Sequence, residues 1–258
     1  MMRNKLLSLI CIILVLIMIL SLYKIINWYL DNERTNKLSN EINDIVKITK
    51  VSGGEIVGKP AKKDDPFSDL INMNLSNVDF TKLKEMNSDS VAFIEVNGTK
   101  VSYPVVKTTD NDFYLYHSFD KSYNQSGWIF MDYRNNIQNI DDNTIIYAHG
   151  RLDGSMFGSL RDILTNDWHT KKENYVVNLS TEKFNSMWQI FSVYKTTPNY
   201  DYLKIDTNEN FLNDIMKKSI FNFNTLVSKD DKIITLSTCY DKKYRLVLHA
   251  KLIKIEKR

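Results

Sequence analysis

Leu6 to Leu22 forms an almost unbroken apolar run, interrupted only by Ser8, Cys11 and Ser21 and bracketed by Lys5 and Lys24. A helix apolar on every face has no polar side to turn towards water, so this run cannot lie on the surface of a soluble fold. A bilayer core takes ~20 apolar residues, with a lower limit of about 17. The run reaches that limit, and Tyr23, Trp28 and Tyr29 follow it where interfacial aromatics sit. A cleaved signal peptide has a shorter apolar region followed by small residues. No such site follows Leu22, so residues 1–24 read as an uncleaved signal anchor rather than as a buried core helix. Arg3 and Lys5 precede the run, while Lys24, Arg34 and Lys37 follow it. The positive-inside rule is then close to a tie, with a lean towards the N-terminus inside and the remainder outside.

The 258 residues allow one sizeable domain beside that anchor. Leu38, Ile42, Ile45 and Val46 fall on one helical face, and residues 25–50 read as helix. Ser52-Gly53-Gly54 through Gly58-Lys59-Pro60 reads as a linker, which makes 25–64 a helical stalk and linker ahead of a domain at 65–258. A second helical stretch is expected from about Pro66 to Met86, with a break near Ser76. Thereafter the chain turns β-rich. Val91–Val96 and Thr99–Val106 flank Asn97-Gly98, a strong hairpin signal. Further strands are expected at Trp128–Met131, Thr144–Ala148, Tyr175–Leu179, Trp188–Tyr194, Lys232–Thr238 and Tyr244–Ile253, and short helices at Ser155–Leu164 and Asn210–Phe221. About eight strands with few helices imply a mainly β closed barrel or sandwich. The net charge of +3, from 34 basic and 31 acidic residues, is too even to argue for nucleic-acid binding.

Two cysteines are present, and Cys11 lies in the apolar run, so Cys239 has no disulfide partner within the domain. In Ile233–Cys239, Ile234 and Leu236 share one strand face, while Thr235, Ser237 and Cys239 share the other. In the last strand Leu246, Leu248, Ala250 and Leu252 make the core face, with Arg245, Val247, His249 and Lys251 opposite. Five residues, Tyr240 to Tyr244, separate Cys239 from Arg245, a hairpin-sized connection. Thiol and guanidinium are therefore expected side by side on one outer surface. Cysteines without partners are often inert and buried. A functional thiol needs a base or a cationic neighbour. Of the four histidines, His149 ends an apolar strand and opens a loop, where catalytic groups usually sit. His249 is the rival, although four residues along a strand place it ~13 Å from Arg245. His117 and His169 lie in polar stretches and are expected to be solvated. Arg245 reads either as a surface arginine or as a donor to an oxyanion.

Thr235-Leu236-Ser237-Thr238-Cys239, followed by an arginine opening the next strand, resembles the sortase signature, and His149 after Ile145-Ile146-Tyr147-Ala148 matches that family's catalytic histidine. Gly98–Val106, Gly127–Arg134 and Gly154–Leu160 resemble class B in particular, as do the insert at about 204–228 and the helices ahead of the barrel. The resemblance covers residues 65 to 258. It implies a closed eight-stranded sortase-type β-barrel with flanking helices, behind an N-terminal transmembrane helix. It also implies a membrane-anchored cysteine transpeptidase on the outer face of a Gram-positive cell, with no metal or cofactor. Cys239 would attack the threonine carbonyl of a sorting motif, NPQTN- or SPKTG-like, on a surface protein. His149 would form an ion pair with the thiolate and give a proton to the leaving amine. Arg245 would hold the oxyanion, and a peptidoglycan amine would release the thioester. Ser237 and Thr238 would line the groove, with Tyr200, Tyr202 and Leu203 as further substrate contacts.

The sequence departs from the class pattern in places. Ala148 and Gly150 stand where glycine and asparagine commonly flank the histidine, and the connection from Cys239 to Arg245 is short. Asp65-Pro66-Phe67 resembles a class C lid motif, but three residues carry little weight. A wall-associated cysteine peptidase is a competing reading, although papain-like chains place cysteine before histidine. An L,D-transpeptidase would hold both in one motif. A membrane-tethered binding module with a structural Cys239 is the non-enzymatic alternative.

Overall fold

A computed structural model describes residues 2–60, 64–136, 138–198, 200–239 and 243–258, the side chains of residues 2–4 and of Cys239 excepted. The expected thiol direction, and residues 240–242 of the connection to Arg245, lie outside these.

Helix α1 (Met2–Ile45) is continuous. Its apolar run is exposed on every side, from Leu6 at 59 % to Leu22 at 55 %, as a candidate membrane span must be. Its last turns behave differently. Leu38, Ile42 and Ile45 face the main core, with Ile42 fully buried. Buried Thr35 accepts from Asn124 Nδ2 at 3.0 Å and so ties the helix to a loop of the domain. The helix ends earlier than expected, because Ile48–Val51 forms strand β1. The supposed linker contains a short strand, β2 (Glu55–Ile56). The stretch from Pro66 to Met86 is likewise two short helices, α2 (Phe67–Leu70) and α3 (Thr81–Met86), separated by strand β3 (Leu75–Val78), which pairs with β1.

All eight expected barrel strands are present: β4 (Ser90–Val96), β5 (Ser102–Val106), β6 (Phe130–Met131), β7 (Asn143–Ala148), β8 (Val176–Thr181), β9 (Phe184–Thr196), β10 (Ile233–Cys239) and β11 (Arg245–Lys257). They run in the order β10-β7-β6-β5-β4-β8-β9-β11, with β2 appended to β11, and β10 pairing with β11 closes the barrel. Closure removes the free edges at which an open sheet would pair with other chains. Alternation along β10 and β11 sends Ile234, Leu236, Leu246, Leu248 and Ala250 into the main core.

The outer face of these strands is covered rather than solvated. Helix α4 (Glu209–Lys217), within the insert, starts at Asn208, whose side chain accepts from Phe211 N at 2.9 Å. Its Phe211, Leu212 and Ile215 share one face and pack on Ile233 and Val247. His249 is fully buried beneath this layer, at hydrogen-bond distance from Thr235 Oγ1 (2.9 Å) and Tyr194 Oη (3.0 Å). His249 is therefore a core residue. His117 and His169 are also packed rather than solvated: His117 stacks on Phe113 with centroids 4.0 Å apart, and His169 bonds the Ile163 carbonyl at 2.8 Å.

Burial pushes His249 down to about 3. The unfolded chain therefore binds a proton below pH ~6.5 that the folded chain refuses until about pH 3. Across that window stability falls as the pH falls, by up to ~1.4 kcal/mol per pH unit from this group. Urea unfolding at pH 7.5 and pH 5.0 is expected to show a loss ~2 kcal/mol larger for the parent chain than for His249→Gln. Equal losses would remove His249 as the cause.

Candidate active site

Three adjacent strands deliver the residues singled out above to one end of the barrel. Strand β10 lies between β7, parallel to it, and β11, antiparallel. The register sets Thr238 opposite Ala148 and Cys239 opposite Arg245. His149 follows Ala148 directly. The backbones of His149, Cys239 and Arg245 are thus held on neighbouring strands, roughly 5 Å from one strand to the next.

A groove of about 500 Å³ opens at this end, with His149, Arg245, Ser237, Thr238, Tyr200 and Leu203 on its walls. Tyr200 stands out at 75 % exposure. Thr238 Oγ1 is buried with no hydrogen-bond partner among the described residues. Tyr202 is not on the wall. It is buried, and its hydroxyl lies 3.0 Å from Ser237 Oγ, so it supports the groove from beneath. Asp65 lies elsewhere: it caps Phe67 N at 3.0 Å and accepts from Gln189 at 2.7 Å, a structural role for the Asp65-Pro66-Phe67 string.

The His149 ring is oriented by a backbone group. Its Nε2 is 2.9 Å from the Leu115 carbonyl. A carbonyl only accepts, so Nε2 carries the proton and Nδ1 is left as the basic nitrogen. Burial pushes the imidazole below its usual value. The Leu115 carbonyl opposes that push, and the Arg151 and Arg245 guanidinium groups add to it.

A further group of wall residues went unrecognised in the sequence. The Asp132 carboxylate is fully buried and accepts from Arg134 Nε and Nη2, both at 2.8 Å, from Tyr147 Oη at 2.8 Å and from Asn111 at 3.1 Å. Burial alone would raise its carboxyl, but the bidentate Arg134 holds it below the usual carboxylate range. Arg134 Nη2 also donates to the Leu203 carbonyl at 3.2 Å, which pins the segment after β9 to the wall. Asp132 and Arg134 lie two residues apart in the Gly127–Arg134 stretch, but their contacts with Asn111 and Tyr147, like that of His149 with Leu115, have no local spacing that could announce them.

The model of the family described as "Sortase domain" matches residues 94–253. Sortase B of Staphylococcus aureus is 31 % identical over 265 residues, covering 98 % of this chain and 98 % of that protein. This chain belongs to the sortase family, in class B. Among solved structures, sortase B from Bacillus anthracis in complex with AAEK1 superposes with a TM-score of 0.69 at 30 % identity, covering 88 % of this sortase and 99 % of that chain. A Staphylococcus aureus sortase B–substrate complex gives 0.62 at 34 % identity, over 68 % and 84 % of the two chains. Both exceed the likeness that fold alone would carry, and the residues matched by the family model include His149, Cys239 and Arg245. The general role is that of a cell-wall transpeptidase, with the N-terminal helix as a candidate membrane anchor.

Proposed function

We propose that this sortase cleaves a C-terminal sorting motif after threonine and transfers the protein to a peptidoglycan amine, with Cys239 as nucleophile, His149 as proton carrier and Arg245 as oxyanion donor. The observation that carries this reading is the strand register, which brings those three positions to one end of the barrel beside a groove. The Cys239 thiolate, paired with a His149 that holds the thiol proton on Nδ1, attacks the threonine carbonyl. Arg245 donates to the oxygen as it becomes an oxyanion. The imidazolium then protonates the leaving amine and a thioester remains on Cys239. An incoming amine resolves the thioester. Ser237 and Thr238 line the groove that takes the peptide, and Tyr200 and Leu203 give it apolar wall. Residues 1–24 cross the membrane once and 25–64 connect, leaving residues 65–258 outside the cell to carry the chemistry. The substrates are surface proteins bearing NPQTN- or SPKTG-like motifs.

The test incubates the full chain in detergent with a panel of sorting peptides and follows the products by mass spectrometry. Cleavage after threonine, with an acyl adduct on Cys239, supports the reading and names the motif. A folded chain that cuts no peptide and carries no adduct sinks it.

A further inference from the structure

The turn that follows His149 carries its side chains inside out. Gly154 N donates to the Arg151 carbonyl at 3.2 Å, which closes a turn with Leu152 and Asp153 at its corners. The two charged side chains fold inward. Arg151 is only 9 % exposed, bonds to Ser126 Oγ and lies 3.5 Å from the Asp153 carboxylate, which also accepts from Ser155 N and Oγ. Leu152 points out instead, and at 85 % exposure it is the barest large apolar side chain among the described residues. A single exposed leucine is ordinary on a surface. This one is held out by a turn pinned through both of its charged neighbours and closed at its base by the bridge from Gly150 to Met156. Its place in the molecule is also particular. Every α1 residue from Lys5 to Ile26 is exposed, and Asn27 is the first to be partly covered. Trp28 then lines one cavity with Leu152, Gln125 and Gly150, and Gln125 N donates to the Asp31 carboxylate at 3.4 Å. The Leu152 turn is thus part of the domain surface met first on leaving the apolar run. The apolar surface of α1 itself continues to that level, because Ile25, Ile26, Trp28, Tyr29 and Leu30 are all exposed. Tryptophan and tyrosine in such a position sit among lipid headgroups, where exposed leucine is also taken up.

We propose that Leu152 inserts into the headgroup layer of the bilayer that α1 spans, so that the domain touches lipid at a second point beside its anchor. The proposal rests on the reading of residues 1–24 as a membrane span. Pairing Arg151 with Asp153 leaves the turn without net charge to hold it in water. The domain is fastened to α1 through Asp31, Thr35 and Ile42, so the two turn as one body. A lone helix in a bilayer is free to rotate about its own axis, and the domain would rotate with it. A second contact, off that axis, stops the rotation. Because the turn opens directly from His149, the lipid contact also sets which way the groove faces along the membrane.

The test places one nitroxide at Leu152→Cys or at Glu182→Cys, in the full chain carrying Cys11→Ala and Cys239→Ala, reconstituted in vesicles of phosphatidylcholine and phosphatidylglycerol. Glu182, in the turn between β8 and β9, is the distant control. Arg258 Nη1 donates to the Thr181 and Val78 carbonyls, both at 2.9 Å, and Val78 pairs with Ile48 just past the end of α1. That end lies roughly 25 Å farther along the helix than Trp28. Both substituted side chains are exposed, so neither change disturbs packing. Flotation of the vesicles reports whether the chain is anchored, and power saturation reports collisions of each nitroxide with a water-soluble nickel chelate and with oxygen. The expected result is a nickel collision rate at least about threefold lower at 152 than at 182, with oxygen collisions higher at 152, as for a side chain among headgroups. Chains that float with the vesicles but show equal rates at the two sites overturn the proposal and leave the span intact. Chains that do not float overturn the reading of residues 1–24 as a span, and the proposal with it.

Discussion

Cys239→Ala is expected to abolish both cleavage and transfer of sorting peptides, with kcat/KM falling by at least ~10⁴-fold, because removing a nucleophile leaves only binding and oxyanion stabilisation. Arg245→Ala is expected to cost ~10²–10³ in kcat, the usual loss when one oxyanion donor goes. Arg245→Lys should restore little, since a point charge does not reproduce the guanidinium fork. Single-turnover acylation read by intact mass separates these outcomes. The cysteine variant forms no adduct, whereas the arginine variant forms it slowly. Residual cleavage within tenfold of the parent in Cys239→Ala would move the nucleophile elsewhere. The prediction follows from the pairing of Cys239 with Arg245 at the closure of the barrel, where ladder hydrogen bonds rather than a loop fix their separation.

Gly127→Ala is the second variant with a large expected effect, although residue 127 touches no reacting atom. Gly127 sits at φ 58°, where a side chain is strained. A Cβ there would stand 2.6 Å from the Tyr114 carbonyl oxygen, 2.8 Å from that of Leu115 and 2.9 Å from His149 Cδ2. Two of these are backbone atoms and cannot swing aside. One is the acceptor that orients the His149 ring. The methyl group must therefore displace both the ring and the carbonyl holding it. A loss of ~2–3 kcal/mol in unfolding free energy is expected from strain and overpacking. A fall of ~10²-fold in kcat/KM should accompany it, as misplacement of a reacting group by about 1 Å produces. Urea unfolding and peptide cleavage on the same preparation check both. Full activity in a destabilised variant would mean that the Leu115 contact does not position His149.

The barrel was legible in the sequence because each of its strands carries its own alternation or apolar run, and the parity of β10 and β11 assigned the core residues Ile234, Leu236, Leu246, Leu248 and Ala250 correctly. The short strands β1 and β3 were not legible. Four residues give too little pattern to stand out beside helical stretches, and those two strands exist only because they pair with each other. His249 shows a different limit. Its face was assigned correctly, but an outward face is solvated only if nothing lies on it. The apolar spacing of Phe211, Leu212 and Ile215 was the available sign that α4 would cover it. In the site, the three strand-end positions could be read because neighbouring strands bring them together. The contact of His149 with Leu115, 34 residues away, and that of Asp132 with Tyr147, 15 residues away, depend on the folded arrangement of the chain.

The unbroken course of α1 sets a height as well as a tether. With Leu6–Leu22 in a bilayer, Trp28 and Asp31, which line one cavity together with His149, stand only ~9–14 Å beyond the run at 1.5 Å per helical residue. A helix of that length, if it spans the bilayer, would keep the reacting end of the barrel low over the membrane surface and deny it the sweep a flexible leash would give. Roughly three to four extended residues span the same distance. A client protein held by its own membrane segment would then have to carry its cleavage point within a few residues of the lipid, and the helix would act as a ruler, screening clients by where the motif lies before the groove reads its sequence.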